Sequence, residues 1–455
     1  MKRWKNIGPI DRWIEPVLAI VILVALVRVY FYLQHFGHLP QPFFYDSFDI
    51  WGDGFNTAVW AREVSLYDSW GSIYPPLTFV IMRMIGNPAC YINASAYSAR
   101  ECDWISIAAF HALYVFNIIL ISLTYLKIER RTALPRSFAL AAGLPMLMAM
   151  ERGNIIVLCF TCMLLGYGPL LKAARWRWIA VGMTVNFKIY LVAALFPQLI
   201  KRRWLWFEGS VIATIGIYLA TLALLGRGTP GEIYVNITRF TEIFDFQLLD
   251  LWAAASFAPT LSLVTSDFPL GGLIGTANVE LITWVLPLTI RCVQAAIILA
   301  VAFAWFRPEA VPMYRLTGLS VLFVIITIET GGYSPAFFIL FVFMEPWRGF
   351  GRRLAIILCY VACFPFDIIL DRAISVVQES YFGGGQVKQD YYIMLGFFLR
   401  PAINLVVAVI MSSITIREVW QDVRHPTPHG RWRFRRDAKL FGGAETEPRT
   451  TAQTS

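Results

Sequence analysis

The chain has 455 residues, of which 57% are hydrophobic and 15% are charged. A soluble globular domain carries roughly 25% charged residues, so this composition excludes an ordinary soluble protein and predicts a membrane protein. The net charge of +9 does not predict a nucleic-acid partner. The basic residues fall in short clusters between apolar segments, as the positive-inside rule expects of cytoplasmic loops.

Apolar runs near the ~20 residues needed to cross a bilayer recur along the chain, at about 16–36, 104–126, 205–225, 281–305 and 393–416. Shorter apolar runs lie between them, and the alternating pattern of membrane barrel strands is absent. Helices satisfy their own backbone groups in lipid. We therefore predict an all-α, polytopic helical membrane protein with roughly 10–13 transmembrane helices. Residues 1–436 would form one membrane domain, followed by a disordered cytoplasmic tail at 437–455.

Basic clusters at the cytoplasmic ends of the apolar runs give a topology. With the N-terminus inside, residues 37–72 form a first outer loop and 226–279 a long outer loop. The apolar run 179–200 has basic clusters at both ends, so we predict a broken hairpin with "NFK" (186–188) near its turn. The crossing number between 73 and 103 stays open. Either this stretch dips without crossing, or "KIERR" at 127–131 lies outside.

"YPPL" at 74–77 predicts that a helix starts at the proline pair, with Tyr74 as an aromatic anchor at the membrane interface. Cys159 and Cys162 have the spacing of a metal or redox motif, but they lie in an apolar helix where we expect ordinary packing. Cys90 and Cys102 flank a polar stretch and would pair in a disulfide if that stretch is outside. The cysteines therefore predict no metal site.

Charged residues are costly at a membrane, so they mark candidate functional positions. On this topology Asp49, Asp53, Glu151, Arg152 and Lys188 gather toward the outer face. A carboxylate can take the proton of an attacking hydroxyl, and basic groups can stabilise charge on a departing phosphate. Three structural readings compete: Asp53 as a helix cap, Lys188 as a side chain reaching for the interface, and an ion pair between Glu151 and Arg152.

Two blocks of sequence carry a family resemblance: "DGFNTAVWA" followed by "LY" and "YPPL", and 152–204, which runs from "RGN" to "KRRW". In order and spacing they resemble the polyprenyl-phosphate-mannose-dependent mannosyltransferase family. This family includes phosphatidylinositol-mannoside and lipomannan mannosyltransferases and belongs to the GT-C superfamily of membrane glycosyltransferases. The chain departs from the pattern in two places. No His follows "SP" at 334–335, and Gly54 replaces the aromatic residue that often follows the first Asp, which leaves the choice between Asp49 and Asp53 open.

The resemblance implies a GT-C-like bundle with short outer-face helices in the first loop. It implies transfer of a hexose or pentose, with mannose favoured, from a polyprenyl-phosphate-linked donor to a hydroxyl of a glycolipid or polysaccharide acceptor. The reaction would invert the anomeric carbon on the outer face of a bacterial inner membrane, without a metal or other cofactor.

In this reading Asp53, or else Asp49, is the catalytic base. Lys188 and Arg152 bind the donor phosphate, with Asn154 orienting the site. The 226–279 loop either recognises the acceptor or contains a solvated amphipathic helix. The alternative is a multi-helix transporter or flippase of lipid-linked saccharide. Transporters of that class often have interrupted helices in two matching repeats. The sequence shows no such repeats.

Overall fold

The computed structural model describes residues 10–43, 50–243, 251–252, 254–265, 275–380, 382 and 385–424. Asp49 and the predicted tail at 437–455 lie outside these residues. The helices of the first half are α1 Ile14–Phe36, α2 Gly52–Trp60, α3 Pro76–Met84, α4 Ala96–Cys102, α5 Trp104–Ile128, α6 Arg130–Ala141, α7 Leu144–Glu151, α8 Ile156–Tyr167, α9 Ala174–Phe187, α10 Phe196–Ile200 and α11 Trp204–Leu225. Those of the second half are α12 Pro230–Ile243, α13 Ala258–Thr265, α14 Thr276–Phe306, α15 Met313–Ile325, α16 Pro335–Val342, α17 Phe350–Ala362 and α18 Gly396–Arg424, with strands β1 Ile369–Glu379 and β2 Gln386–Met394 before α18.

Long apolar helices confirm the prediction of a polytopic membrane protein. Within the described residues, six helical segments are long and apolar enough to cross a bilayer: α1, α5, α6 with α7, α11, α14 and α18. Five of them are the runs predicted from the sequence. Large apolar side chains on these helices face outward, such as Val24 at 62% exposed, Ile212 at 70% and Trp284 at 77%. A helix that is apolar on all sides is suited to lipid contact. The predicted total of 10–13 crossings stays a prediction.

Shorter apolar helices fill the centre of the bundle. Every residue of α16 is buried, and its phenylalanines join one continuous core with side chains of α5, α8, α15 and α17. An eight-residue helix covers only about 12 Å, which is too short to cross a bilayer. Because all its residues are buried, the longer helices around α16 shield it.

The predicted broken hairpin at 179–200 is confirmed. Helix α9 ends at Phe187, Lys188 has an extended backbone, and a 3-10 turn over Ile189–Leu195 leads into α10. Lys201, at the far end of the return segment, donates a hydrogen bond of 2.7 Å from Nζ to the carbonyl of Val311 beside the start of α15. The rings of Trp178 and Trp206, which adjoin the two basic clusters, have centroids 6.4 Å apart. The clusters at the two ends of 179–200 therefore lie at the same end of the bundle, which removes the conflict.

No helix of the described stretch 73–103 is long enough to cross a bilayer. Helix α3 starts at Pro76, as predicted, and its nine residues cover only about 14 Å of a roughly 30 Å hydrocarbon layer. Cys90 and Cys102 form a disulfide, which confirms the pairing that the sequence left open. A hydrogen bond of 2.9 Å from Arg100 to the carbonyl of Ile50 brings the two ends of residues 50–103 together, so this stretch begins and ends on one side of the bundle.

A two-stranded ribbon accompanies the predicted helical bundle. Strands β1 and β2 pair antiparallel over residues that the sequence reading assigned to an outer loop. The signal was present: two runs rich in Val, Ile and Tyr flank "GGG" at 383–385, and such a pattern is typical of a β-hairpin. Tyr391 of β2 packs on Trp252 with ring centroids 4.9 Å apart, so the ribbon covers the same end of the bundle as the 251–265 segment.

A buried ionic network joins the helix starts at the other end. Arg136 of α6 donates two hydrogen bonds of 2.8 Å to the carboxylate of Glu15 in α1 and one of 2.6 Å to the carbonyl of Phe343. Arg315 of α15 pairs with Glu345 at 2.6 Å. Each ion is thereby neutralised where burial alone would be costly.

We expect Arg136→Ala to lower the free energy of unfolding by about 3–5 kcal/mol, because it leaves the Glu15 carboxylate buried without its partner. Thermal unfolding in detergent, followed with a thiol-reactive dye that reports exposure of the buried cysteines, measures the loss. Arg353→Ala is the matched control. Its ion pair with Asp11 is 33% exposed at the arginine, so the expected loss is about 1 kcal/mol or less. Equal melting curves for the two variants would contradict the role of the network.

Candidate active site

Two glycine-containing turns from distant parts of the sequence dock on each other. The N–H of Trp51 donates to the carbonyl of Glu151 at 2.8 Å, and the N–H of Gly54 donates to the carbonyl of Arg152 at 3.2 Å. These bonds join the start of α2 to the turn between α7 and α8. They satisfy donors at the first turn of a helix, which has no intrahelical acceptors for them.

Both glycines are required by the close approach. A Cβ on Gly54 would lie 2.7 Å from the carbonyl oxygen of Gly153, and a Cβ on Gly153 would lie 2.4 Å from the indole ring of Trp51. Gly153 also has a φ of +59°, which non-glycine residues rarely adopt. The departure at Gly54 from the family pattern therefore has a structural reason in this chain.

The docking brings three of the predicted site residues into direct contact. Arg152 donates from Nη2 to Oδ1 of Asp53 at 2.6 Å, and Asn154 donates from Nδ2 to Oδ2 at 2.6 Å. Asn154 is itself held, since its Oδ1 accepts from the N–H of Ile156 at 3.0 Å and its side chain is buried. The carboxylate of Asp53 is therefore fixed in position while 23% of its side chain stays exposed.

The structure does not support the reading of Asp53 as a helix cap. Asp53 lies in the first turn of α2, but the residue that caps this helix is Trp51, in a left-handed conformation with no side-chain cap. The Asp53 side chain is instead bonded across the chain to Arg152 and Asn154. Arg152 thus contacts the proposed base directly, and whether it also binds a phosphate stays a prediction.

Two opposing effects set the acidity of Asp53. Partial burial raises the pKa of its carboxyl above the ordinary value, while the hydrogen bond from Asn154 and the positive charge of Lys188 lower it. Burial has the larger effect. A carboxylate held near protein cations and with a raised pKa is a stronger base than one in water.

Lys188 lies at the break of the hairpin with its ammonium group among tyrosines. Its Nζ donates to the hydroxyl of Tyr74 at 2.9 Å and lies 4.4 Å from the Tyr74 ring centroid and 5.6 Å from that of Tyr333. The side chain is 7% exposed, and within the described residues it forms no ion pair with a carboxylate. The interface-seeking reading of Lys188 therefore does not fit, and a buried ammonium of this kind is suited to binding an anion.

The segment from Glu329 to Ser334 also lies beside Lys188, through Tyr333. The sequence analysis assigned this segment no part in the chemistry. Glu329 accepts hydrogen bonds from the N–H groups of Ala255 at 3.0 Å and Gly331 at 2.8 Å, which joins the segment to the 254–256 stretch. Ser334 lies 3.1 Å from the hydroxyl of Tyr190. The only signal in the sequence that this segment belongs to the site was the polar stretch "ETGGYSP" between two apolar helices.

No group of three His, Cys, Asp or Glu side chains lies close enough to hold a metal ion within the part of the chain that the structure describes. Comparisons with protein-family models, with curated proteins and with solved structures find no match to this chain. Arguments about its function therefore rest on its own residues and their geometry.

We expect Gly54→Ala to separate the two turns, because the added methyl meets a backbone carbonyl that cannot rotate away. Overpacking of this kind costs about 1–3 kcal/mol, measurable as a lower midpoint of thermal unfolding in detergent. Gly231→Ala in α12 is the control, since a Cβ there meets nothing within 4 Å and alanine favours a helix. An unchanged midpoint for Gly54→Ala would contradict the close approach.

Proposed function

We propose that the protein is a glycosyltransferase of the GT-C type. It would transfer a sugar, with mannose favoured, from a polyprenyl-phosphate donor to a hydroxyl of a glycolipid or polysaccharide acceptor at the outer face of a bacterial inner membrane. The observation that carries the proposal is the fixed, partly exposed carboxylate of Asp53 near the buried ammonium of Lys188. The two side chains would supply a base and a phosphate-binding cation in one place.

The proposed step is a single displacement. The acceptor oxygen attacks the anomeric carbon as the bond from that carbon to the phosphate oxygen breaks, and the configuration is inverted. Asp53 takes the proton of the acceptor hydroxyl, and the electron pair of the broken bond stays on polyprenyl phosphate. Lys188 stabilises the added negative charge, as basic groups do for departing phosphates. Arg152 and Asn154 hold Asp53 in place for the proton transfer.

An apolar stripe next to Lys188 supports a lipid donor. Ile189, Val192 and Phe196 follow Lys188 and are 37%, 45% and 53% exposed. Their spacing of three and four residues puts them on one side of the return segment. A polyprenyl tail lying along this stripe would leave its phosphate at Lys188.

The disulfide supports an outer location. Cys90–Cys102 lies in the same segment as Asp53, between α1 and α5. Disulfides persist in oxidising compartments such as the periplasm and are rare in the cytosol. The basic residues Lys201, Arg202 and Arg203 follow the opposite end of the hairpin, where the positive-inside rule puts the cytoplasm.

We expect Asp53→Asn to reduce transfer of labelled mannose from polyprenyl-phosphate-mannose into membrane acceptors by about 10²–10⁴-fold, the range for loss of a general base. Membranes with equal amounts of protein are compared. Asp68→Asn is the matched control, because Asp68 lies in the same outer segment with its side chain 74% exposed.

Full activity of Asp53→Asn would remove Asp53 as the base and leave Asp49 as the candidate. If the unaltered protein transferred nothing from any polyprenyl-phosphate sugar, while vesicles containing it moved lipid-linked saccharide across the bilayer, the transporter reading would replace the enzyme.

The pH dependence of transfer gives a separate test of positioning. The base acts when it is ionised, so activity falls as the pH drops through the pKa of Asp53. Asn154→Ala removes a hydrogen bond that lowers this pKa, so the acidic limb of the profile of kcat/KM is expected to move to higher pH. A purely structural effect of Asn154 would lower the whole profile without moving the limb.

A further inference from the structure

A cavity of about 280 Å³ lies between α2 and α4, beside the proposed base rather than at the buried lysine. Its volume is near the lower end of the roughly 300–1,000 Å³ found for small-molecule sites. The cavity is part of the outer segment that carries the disulfide. Nothing in the proposed displacement step uses it.

The walls of the cavity combine an aromatic face with hydrogen-bonding groups. Asn56 of α2 and Ser95, Tyr97 and Arg100 of the α4 region line it, and no carboxylate is among its described lining residues. Among the described residues, the amide of Asn56 has no hydrogen-bond partner, and it lines the cavity. The Tyr97 side chain is 40% exposed and presents an apolar surface.

This wall is fixed in place before any ligand binds. Arg100 donates from Nη1 to the carbonyl of Ile50 at 2.9 Å, and its guanidinium lies 4.8 Å from the centroid of the Tyr97 ring. The disulfide to Cys90 holds the last residue of α4, Cys102. A ligand therefore meets an ordered surface, which lowers the entropic cost of binding.

The cavity adjoins the proposed base through helix geometry. Gly52, which lines the cavity, immediately precedes Asp53, and Asn56 follows it by three residues. Residues three apart are neighbours on a helix surface, and their Cα atoms are about 4.5 Å apart along the axis. A ligand held by Asn56 would therefore lie within one sugar unit of the carboxylate.

We propose that the α2–α4 cavity binds a neutral sugar unit of the acceptor glycan and so presents the attacking hydroxyl to Asp53. The inference rests on the proposed function. An aromatic ring suits the apolar face of a sugar, and the amide of Asn56 suits its hydroxyls. The Arg100 guanidinium is bonded to Ile50 and Glu101 and supports the wall. A phosphate site would be expected to hold more than one cation, and Arg100 is the only one lining this cavity among the described residues. Acceptor recognition thus lies on α2 and α4, whereas the sequence predicted it in the 226–279 loop.

Direct binding is the first test. Saturation-transfer NMR on the full chain in lipid nanodiscs uses methyl mannoside, mannobiose and maltose as probes, with inorganic phosphate as competitor. Binding of at least one saccharide is expected for the unaltered protein and for Asp53→Asn. About ten-fold weaker binding is expected for Tyr97→Ala and Asn56→Ala, the size of one lost contact. Asp68→Asn is the control that leaves the cavity unchanged.

Three results would overturn the proposal: no binding of any probe, equal binding by all variants, or displacement of the saccharide by phosphate. Thermal unfolding shows whether each variant is folded. Tyr97 is exposed enough that its replacement is not expected to shift the midpoint.

Steady-state transfer separates this inference from the proposed function. Tyr97→Ala should raise the KM for the acceptor about ten-fold and leave the KM for the lipid donor unchanged. If transfer occurs but the acceptor KM does not respond, the cavity proposal fails and the enzyme stands. If saccharide binding depends on Tyr97 but no sugar is transferred from any lipid donor, the enzyme proposal fails and the binding site stands.

Discussion

The close contact between Gly54 and Gly153 is the constraint on which the candidate site depends. Backbone hydrogen bonds join the turn before α2 to the turn before α8. They can form only because neither position carries a side chain. Once joined, the turns bring Asp53 within 2.6 Å of Arg152 and Asn154. A carboxylate with two such donors loses rotational freedom, and catalysis by a fixed group needs no reorganisation at the moment of reaction. One steric requirement therefore fixes the position of the Asp53 carboxylate, the neighbours that act on its pKa, and the orientation of the cavity wall formed by Gly52 and Asn56.

Interrupted helices supply the second half of the site. Helix α9 stops inside the bundle at Phe187, and the extended backbone at Lys188 directs a buried ammonium toward Tyr74 and Tyr333. Backbone that is not helical is tolerated at this depth where protein covers it. The segment from Glu329 to Ser334 provides part of that cover, because Tyr333 lies 5.6 Å from the Lys188 ammonium and Ser334 lies 3.1 Å from the hydroxyl of Tyr190. The Glu329 carboxylate fixes the segment through bonds from the N–H groups of Ala255, Ser256 and Gly331. Partial burial raises the pKa of Glu329, and these hydrogen bonds oppose the shift.

The two ends of the bundle use charge in different ways. At the end with Lys201, buried arginines and glutamates pair with one another, as Arg136 does with Glu15. Such pairs are neutralised internally and fix how the helix starts meet. At the end with Asp53, Lys188 is bonded to a tyrosine, and Asp53 keeps part of its surface exposed. Ion pairs also occur at this end, between Arg152 and Asp53 and between Arg400 and Asp367. What distinguishes it is the exposed part of the Asp53 carboxylate and a buried lysine with no carboxylate partner among the described residues.

The sequence alone determined the class of protein, because a hydrophobic segment of about 20 residues has few alternatives to a membrane helix. Charge clusters at both ends of 179–200 likewise required a reversal, and it occurs at Lys188. The sequence also identified Asp53, Arg152, Asn154 and Lys188 as residues of interest, but not that Arg152 and Asn154 hold Asp53. The β-hairpin had a local signal in the sequence, in the runs on either side of "GGG". The tyrosines around Lys188 and the α2–α4 cavity were decided by tertiary structure. Tyr74 and Tyr333 are more than 100 residues from Lys188 in the sequence, and the cavity depends on how two short helices pack. The pattern of polar and apolar residues along a chain does not specify such contacts.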